Sequence, residues 1–322
     1  MKVLVTGGAG YIGSKICLDL ITAGHRLTII DNLSTGYKKF VNKKSNFYLC
    51  DLSNSKKVKN IIIKNEIEAV IHCAASIKVE ESEAKPKKYF INNVLNTEKL
   101  LKSLSGSKVK YFVFSSTCSV YGNVKSMVSE KTKLNPISVY GKTKFMGENL
   151  IKKYSKIFNF NFIILRYFNV AGSDIKNNIG ILNKNNQLIK NLSIAIKRKK
   201  YFINIFGKGY QTKDGTCVRD YIHLKDISKI HLLSLKYLKE KKRSDIFNCG
   251  YGKGHSVKEI VKFFENSHHI KFKINFSKKR KGDIGKIYSN NKKLLKNLRF
   301  KIPKNPMNDI VRSSINWELK IK

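Results

Sequence analysis

The chain has 322 residues, 42% of them hydrophobic, which excludes a disordered protein and is enough for a large core in one α/β unit or two intimate lobes. Its 64 Lys and Arg against 22 Asp and Glu give a formal net charge of +42. That charge is mostly lysine, dispersed over the whole length among abundant Asn and Ile, so it reads as a drifted surface and not as a groove for nucleic acid, although its field would attract an anionic substrate.

No apolar run approaches the roughly 18 residues of a membrane span, and no signal-peptide pattern precedes the opening strand. The expectation is a cytoplasmic protein with no membrane partner. Cys17, Cys50, Cys73, Cys118, Cys217 and Cys249 show no Cys-x-x-Cys spacing and lie mostly in apolar runs. They read as small buried thiols in a reducing compartment, and no metal site is expected.

In chain order, Val3 to Thr6 is a short apolar run, Gly7-Gly-Ala-Gly10-Tyr-Ile-Gly13 is a turn, and Ser14 to Ala23 has helical periodicity. Gly7 allows the tight turn, Gly10 lets the backbone approach a pyrophosphate, and Gly13 lets helix and strand pack closely. The helix amino end then faces the phosphates. A second strand, Arg26 to Ile30, ends at Asp31, whose carboxylate would accept the adenosine ribose hydroxyls and repel a 2′-phosphate. This predicts NAD as cofactor. The other reading of Asp31 is a turn residue, since Asn32-Leu-Ser-Thr-Gly36 is a loop.

A third strand, Asn46 to Cys50, leads to Asp51 and Leu52, and a helix follows over 54–65. The fourth strand, Ala69 to Cys73, runs into Ala74-Ala75-Ser76, small enough for close approach to a cofactor. Then come a helix over 86–104, a fifth strand from Tyr111 ending in Ser115-Ser116-Thr117, a helix over Val139 to Phe158, and a strand from Phe162 to Arg166. The alternation predicts a parallel sheet covered on both faces: a doubly wound α/β fold, Rossmann-like, with ligands beyond the carboxyl ends of the strands. Thr6, Asp31, Asp51, Ala74 and Ser115 fall at such ends. After Tyr167 the rhythm breaks, with loops such as 175–187 and a long stretch over 206–226. The expected division is an NAD-binding domain at 1–168 and a smaller α/β substrate lobe at 169–322, interleaved with the first. The charge run from Lys236 to Arg243 reads as a solvated helix end.

Tyr140 and Lys144 are four apart and share a helix face. A phenol with a pKa of about 10 is a poor base unless a cation stabilises its anion, and Lys144 is placed to do so. Thr117 would bond a substrate oxygen while Tyr140 moves the proton, which implies redox chemistry at a carbon bearing a hydroxyl. The same spacing occurs at Tyr11/Lys15, Tyr121/Lys125, Tyr221/Lys225, Tyr237/Lys241 and Tyr288/Lys292. What distinguishes Tyr140 is its place after a hydroxyl-ended strand in a chain that opens on a dinucleotide turn.

The segments GGAGYIGS, DNLSTG, VIHCAASIKVEES, FSSTCSVYG, YGKTKFMGE, LRYFNVAGSD, IFGKGYQTKDGTCVRDYIHLKDIS, FNCGYGKGHSV and KRKGDIGKIYS resemble the UDP-glucose 4-epimerases, a family of the extended short-chain dehydrogenase/reductase superfamily. The resemblance implies interconversion of UDP-glucose and UDP-galactose, with transient oxidation at carbon 4 by tightly bound NAD, rotation of a 4-keto sugar, and re-reduction. It places Gly7, Gly10, Tyr11, Ile12, Asp31, Asn32, Asp51, Leu52, Ala74, Lys78, Asn93, Tyr140, Lys144 and Tyr167 or Phe168 around NAD, beside Gly13 of the turn. It places Asn169, Gln187, Leu188, Phe206, Arg219, Tyr221, Arg280 and Asp283 around the nucleotide-sugar, with the two arginines on the diphosphate and Asp283 at the uridine ribose. A guanidinium suits that task because it makes two parallel bonds to phosphate and stays charged. A homodimer through the helices beginning near Pro86 and Val139 is also implied.

The chain departs from the family pattern at three places. Thr117 stands where members often have Ser, which keeps the hydroxyl. Gln187 stands where Asn or His is common. Ile287 falls where residue size is associated with admitting an N-acetyl group, and its intermediate bulk leaves that open. Other UDP-sugars, with an N-acetylhexosamine, a pentose or a uronate, are the alternatives. A 4,6-dehydratase would carry Asp-Glu where Cys118-Ser119 follow Thr117, and a non-catalytic NAD- or RNA-binding protein would not need Thr117, Tyr140 and Lys144 intact.

Overall fold

The computed structural model describes residues 1–124, 126–176, 178–182, 187–279 and 284–321. The first half runs β1 (Lys2–Thr6), α1 (Tyr11–Thr22), β2 (Arg26–Asp31), β3 (Asn46–Leu49), α2 (Ser55–Lys64), β4 (Ala69–His72), α3 (Val79–Ala84), α4 (Pro86–Phe90), a π-turn (Ile91–Leu95), α5 (Asn96–Lys102), β5 (Tyr111–Thr117), β6 (Met127–Val128) and α6 (Val139–Phe158). The second half runs β7 (Asn161–Tyr167), β8 (Asn169–Ala171), α7 (Leu188–Lys197), β9 (Phe202–Phe206), β10 (Val218–His223), α8 (Leu224–Lys241), β11 (Asp245–Cys249), β12 (Gly254–Ser256), α9 (Val257–His268), β13 (Lys273–Ser277), β14 (Lys286–Ser289), α10 (Lys292–Leu298) and α11 (Pro306–Lys320).

Seven strands, in the order β3-β2-β1-β4-β5-β7-β11, form one parallel sheet. The strands are apolar nearly throughout because both faces are covered. Side chains alternate between the faces: Val3, Val5 and Ile29 pack with Ile16 and Leu20 of α1 and Ile230 and Leu238 of α8, whereas Leu4, Ile30, Phe112 and Phe114 pack with Ile62 of α2, Leu100 of α5 and Ile151 of α6. The doubly wound α/β fold expected from the alternation is thus observed. A second sheet, β12-β10-β14-β6 with β8 beside β10, and a parallel pair of β9 and β13 build the remainder. The chain crosses between the two parts, since β6 joins β14 while β11 completes the large sheet.

Some local expectations change. Helix α1 begins at Tyr11, inside the glycine turn, so its free amides belong to the turn itself. The helix expected over 86–104 runs from Pro86 to Lys102 and carries within it the π-turn, which holds Asn93. The stretch read as irregular over 206–226 contains β10, and Cys73 and Cys118 are half-buried at strand ends while the other four cysteines are buried.

Candidate active site

In the turn that joins β1 to α1 the backbone allows no side chain at Gly7 or Gly13. A Cβ on Gly13 would sit 2.2 Å from the Gly7 carbonyl oxygen; one on Gly7, at φ +73°, would sit 2.7 Å from the Ala74 nitrogen. At Gly10 the nearest contact is a milder 3.2 Å. The first intrahelical bond runs from the Ser14 amide to the Gly10 carbonyl, leaving the Tyr11, Ile12 and Gly13 amides without helical acceptors. That is an anion cradle suited to a pyrophosphate. The Tyr11 ring faces elsewhere, its hydroxyl donating to the Gly172 carbonyl at 2.6 Å, a link that sequence gave no sign of.

Asp31 closes the turn at the end of β2. Its Oδ2 accepts the Ala9 amide at 2.9 Å and its Oδ1 the Leu33 amide at 2.8 Å, so the carboxylate is fixed beside the glycines with lone pairs to spare. Asn32 donates to Asp51 Oδ2 at 2.6 Å, pairing the ends of β2 and β3, and Leu52 is buried beneath them. Beyond β4, Asn93 grips the backbone of Ser76 through both ends of its amide: it accepts the amide at 2.8 Å and donates to the carbonyl at 3.0 Å. The π-turn, a device that concentrates at functional sites, carries that residue. Ala74 is part-buried next to Gly7; Lys78 is exposed at the start of α3, its amide donating to the Tyr89 hydroxyl at 2.9 Å.

Tyr140 lies on the first turn of α6, whose amino end is fixed by Ser138 accepting the Gly141 amide at 3.0 Å and by Ser82 accepting that of Tyr140 at 3.1 Å. Thr117 ends β5, where its hydroxyl accepts the Ser119 amide at 3.2 Å and bears on the Tyr140 phenol. Burial pushes Tyr140 up to about 12, with the Thr117 hydroxyl acting against the rise. Lys144, one turn on, is buried with Nζ 4.4 Å from the centre of the Phe114 ring; burial pulls it down to about 8. The sequence reading expects a phenol lowered by its lysine. The protein groups alone leave it raised, because desolvation outweighs what they contribute.

Tyr167 donates into His231 Nε2 at 2.7 Å, as it must, because His231 Nδ1 donates to the Ile227 carbonyl at 2.9 Å. Phe168 is buried among Val120, Tyr121, Val128 and Ile287.

The second sheet brings several substrate-assigned residues together. Asn169 of β8 stands opposite Tyr221 of β10, and its side chain bears on the Tyr221 phenol. Arg219 is two residues from Tyr221 on β10, hence on the same face, and stands opposite Ile287 of β14. It bears electrostatically on Tyr221 and on Cys118, the residue after Thr117, which ties this face to the catalytic end of β5. Phe206 ends β9 opposite Ser277; Gln187 and Leu188 open α7. Arg280 and Asp283 lie outside the described residues. A groove of about 560 Å³ lined by Glu130, Lys131, Phe162, Asp245 and Lys293 lies at the amino ends of β7 and β11, and none of the described site residues lines it.

Sequence reasoning missed Glu148 and Arg166, a buried ion pair behind Tyr140, and Asp220, which holds three segments under Arg219. The available signal for Glu148 was its spacing, two turns beyond Tyr140 on the same helix face.

The glycine turn, its carboxylate and the parallel sheet define the class, a dinucleotide-binding protein of the doubly wound type. Residues 3–250 match the NAD dependent epimerase/dehydratase family, and the chain belongs to that NAD-dependent enzyme family. It is 38% identical to a UDP-glucose 4-epimerase of Lactobacillus helveticus over 98% of this chain and 97% of that protein. It is 36% identical to UDP-arabinose 4-epimerase 1 of Arabidopsis thaliana over 98% of this chain and 79% of that one. The crystal structure of a UDP-glucose 4-epimerase from Stenotrophomonas maltophila, with bound NAD and formylated UDP-arabinopyranose, superposes with a TM-score of 0.93 at 32% identity, covering 99% and 98% of the two chains. The resemblance drawn from the quoted segments is borne out. Among the described residues, no helix is long and apolar enough to cross a membrane.

Proposed function

We propose that this protein interconverts UDP-glucose and UDP-galactose at carbon 4. The observation that carries the reading is the Tyr140 phenol set beside the Thr117 hydroxyl, with Lys144 one helical turn away, at the carboxyl end of β5 in a member of an NAD-dependent epimerase family. Thr117 orients the carbon-4 hydroxyl, and Tyr140 takes its proton and later returns it. NAD, when bound, would accept the hydride and return it, and the positive charge of its oxidised ring would act against the burial that raises the Tyr140 phenol. The turn amides of 11–13 hold its pyrophosphate and Asp31 its ribose. Asn169, Arg219 and Tyr221 hold the nucleotide end of the substrate, with Gln187, Leu188, Phe206, Arg280 and Asp283 assigned to the same lobe. The sugar is then the loosely held part and is free to turn. The division at 168/169 separates these two tasks.

A UDP-pentose is the second reading, favoured by the 36% identity to the Arabidopsis UDP-arabinose enzyme. The six unpaired thiols support a reducing, cytoplasmic setting. Phe90, Ile91 and Leu95 on α4 and the π-turn, and Met146 on α6, are exposed apolar residues on adjoining helices, which supports a homodimer through that face; light scattering is expected to give twice the 36.9 kDa chain mass. The test of function is incubation with UDP-galactose, UDP-arabinose and UDP-N-acetylgalactosamine, with and without Tyr140→Phe. UDP-galactose is expected to equilibrate with UDP-glucose, and Tyr140→Phe to slow it by about 10²–10⁴-fold. Turnover of UDP-arabinose alone would transfer the assignment to the pentose, and full activity of Tyr140→Phe would remove the mechanism.

A further inference from the structure

Tyr140, Lys144 and Glu148 recur every fourth residue of α6 and stand on one face. Glu148 is fully buried, and both of its oxygens are engaged. Arg166 of β7 donates from Nε to Oε1 at 2.9 Å and from Nη2 to Oε2 at 2.7 Å, and the Ser116 hydroxyl of β5 donates to Oε1 at 2.6 Å. Arg166 Nη1 also donates to the Tyr121 hydroxyl at 3.0 Å, which donates to Asn248 Oδ1 at 2.6 Å. A buried ion pair is a poor source of stability, since an apolar pair of similar volume often serves as well. Its place directly behind the reacting side chains therefore needs another explanation.

Ser116 precedes Thr117, so the bond from Ser116 to Glu148 fixes which turn of α6 lies over the end of β5. The placing of Tyr140 beside Thr117 depends on that register. Charge is the second effect. Burial disfavours the ammonium of Lys144, and the groups that oppose this are the Cys73 sulfur and Glu148. Burial pushes Cys73 up to about 11, so at neutral pH it is an uncharged thiol and Glu148 carries the standing charge.

The other ionisable groups facing α6 do not substitute. His72 of β4 is pulled down to about 3 by burial and stays neutral, and burial raises Tyr89 of α4, Tyr121 and Tyr167. Glu83 of α3 accepts the Val139 amide and Glu98 of α5 the Tyr154 hydroxyl, towards the two ends of the helix. We propose that Glu148 is a positioning residue for the reaction, which sets Tyr140 on Thr117 through Ser116 and keeps Lys144 an ammonium through its charge. The proposal rests on the catalytic reading of Tyr140 and Lys144.

The test compares Glu148→Gln, Arg166→Lys and Tyr140→Phe with the parent on UDP-galactose across pH, together with thermal melting. A second readout is the ionisation of Tyr140, taken as the tyrosinate absorbance lost in Tyr140→Phe, in the parent and Glu148→Gln backgrounds. Glu148→Gln is expected to lower kcat about tenfold near pH 8 and to move its alkaline limb about one unit towards acid, with KM within about twofold, because Lys144 loses its proton sooner. Tyr140 is expected to ionise at higher pH in that background. Arg166→Lys, which keeps both charges, is expected to lose melting temperature and leave the limb in place. If Glu148→Gln does not fold, the paired E148M/R166M, which leaves no charge unpaired, is expected to show the same displaced limb. An unmoved limb and unmoved Tyr140 ionisation, with only the melting temperature lowered, overturn the proposal. A Tyr140→Phe variant that still turns over removes the catalytic reading instead, and the two failures are distinct.

Discussion

At the end of β5 the side chains proposed to react come from two neighbouring stretches, 115–117 and 138–148, and are held by partners that are themselves buried. Across β10 the side chains proposed to hold substrate come from 169, 219 and 221, brought together by strand pairing, with Asn169 exposed and Arg219 part-buried. The first arrangement suits proton transfer, where a small displacement of the base loses rate. The second suits a long anionic ligand, whose recognition is spread over many contacts. The difference implies that substitutions at the β5 end act on kcat, whereas substitutions on β10 act on KM.

Lys144→Met gives the largest expected effect. Losing the cation beside Tyr140 should lower kcat by about 10²–10⁴-fold with KM for UDP-galactose within a few-fold, in steady-state assays. A rise in KM with kcat intact would break the comparison, since it would make Lys144 a substrate-binding residue. On the other side, Arg219→Met should raise KM by about 10–100-fold, the usual scale for a charge-assisted bond, and Tyr221→Phe by less, with kcat within about threefold for both. If Tyr221→Phe instead lowers kcat, the Asn169–Tyr221 pair belongs to the reacting end and the boundary between the two regions shifts.

What was legible in the sequence follows the same division. Gly7, Gly13, Asp31, Thr117, Tyr140 and Lys144 could be read because each acts through short-range spacing: a turn before a helix, a carboxylate after a strand, two residues one helical turn apart. The partners that hold them could not, because their contacts are long-range. Nothing near Glu148 announces Arg166 on β7, and nothing near Tyr11 announces Gly172. The π-turn was hidden for a related reason. Ile91-Asn-Asn-Val-Leu95 contains no Pro or Gly, and what accompanies the π-turn is the two-ended grip of Asn93 on Ser76, a loop elsewhere in the chain. Strand β10 fell within a stretch read as irregular because Val218-Arg-Asp-Tyr221 shows no apolar alternation, yet the charge at its centre, Asp220, is held by Tyr251, Gly252 and Ser289 of other segments. The arginines could be assigned roles only through the family resemblance, since isolated charges in a chain with 64 basic residues carry no local signal.

The smallest expected effect concerns Asp220, which turns away from the Arg219 face and holds the lobe together. Its Oδ1 accepts the Tyr251 amide at 2.9 Å, and its Oδ2 accepts the amides of Gly252 and Ser289 at 3.0 Å each and the Ser289 hydroxyl at 2.5 Å. Burial nevertheless pushes it up to about 6, because desolvation exceeds what those donors return. An acid raised in the folded state above its unfolded value of about 3.9 binds its proton more tightly when folded. Its contribution to stability is therefore fully present below about pH 4, is lost as pH rises through about 6, and is level above that. The change is on the order of 3 kcal/mol across the window. Asp220→Asn should remove this slope while adding a pH-independent loss of about 1–3 kcal/mol, because the amide presents a donor where the carboxylate accepted one. Urea unfolding of both proteins at several pH values between 4 and 8 measures the difference. If the parent and the variant keep the same slope between pH 4 and 6, the four donors outweigh burial, Asp220 is ionised throughout, and the β10 side of the molecule has a fixed anionic hub as constant as the ion pair behind Tyr140.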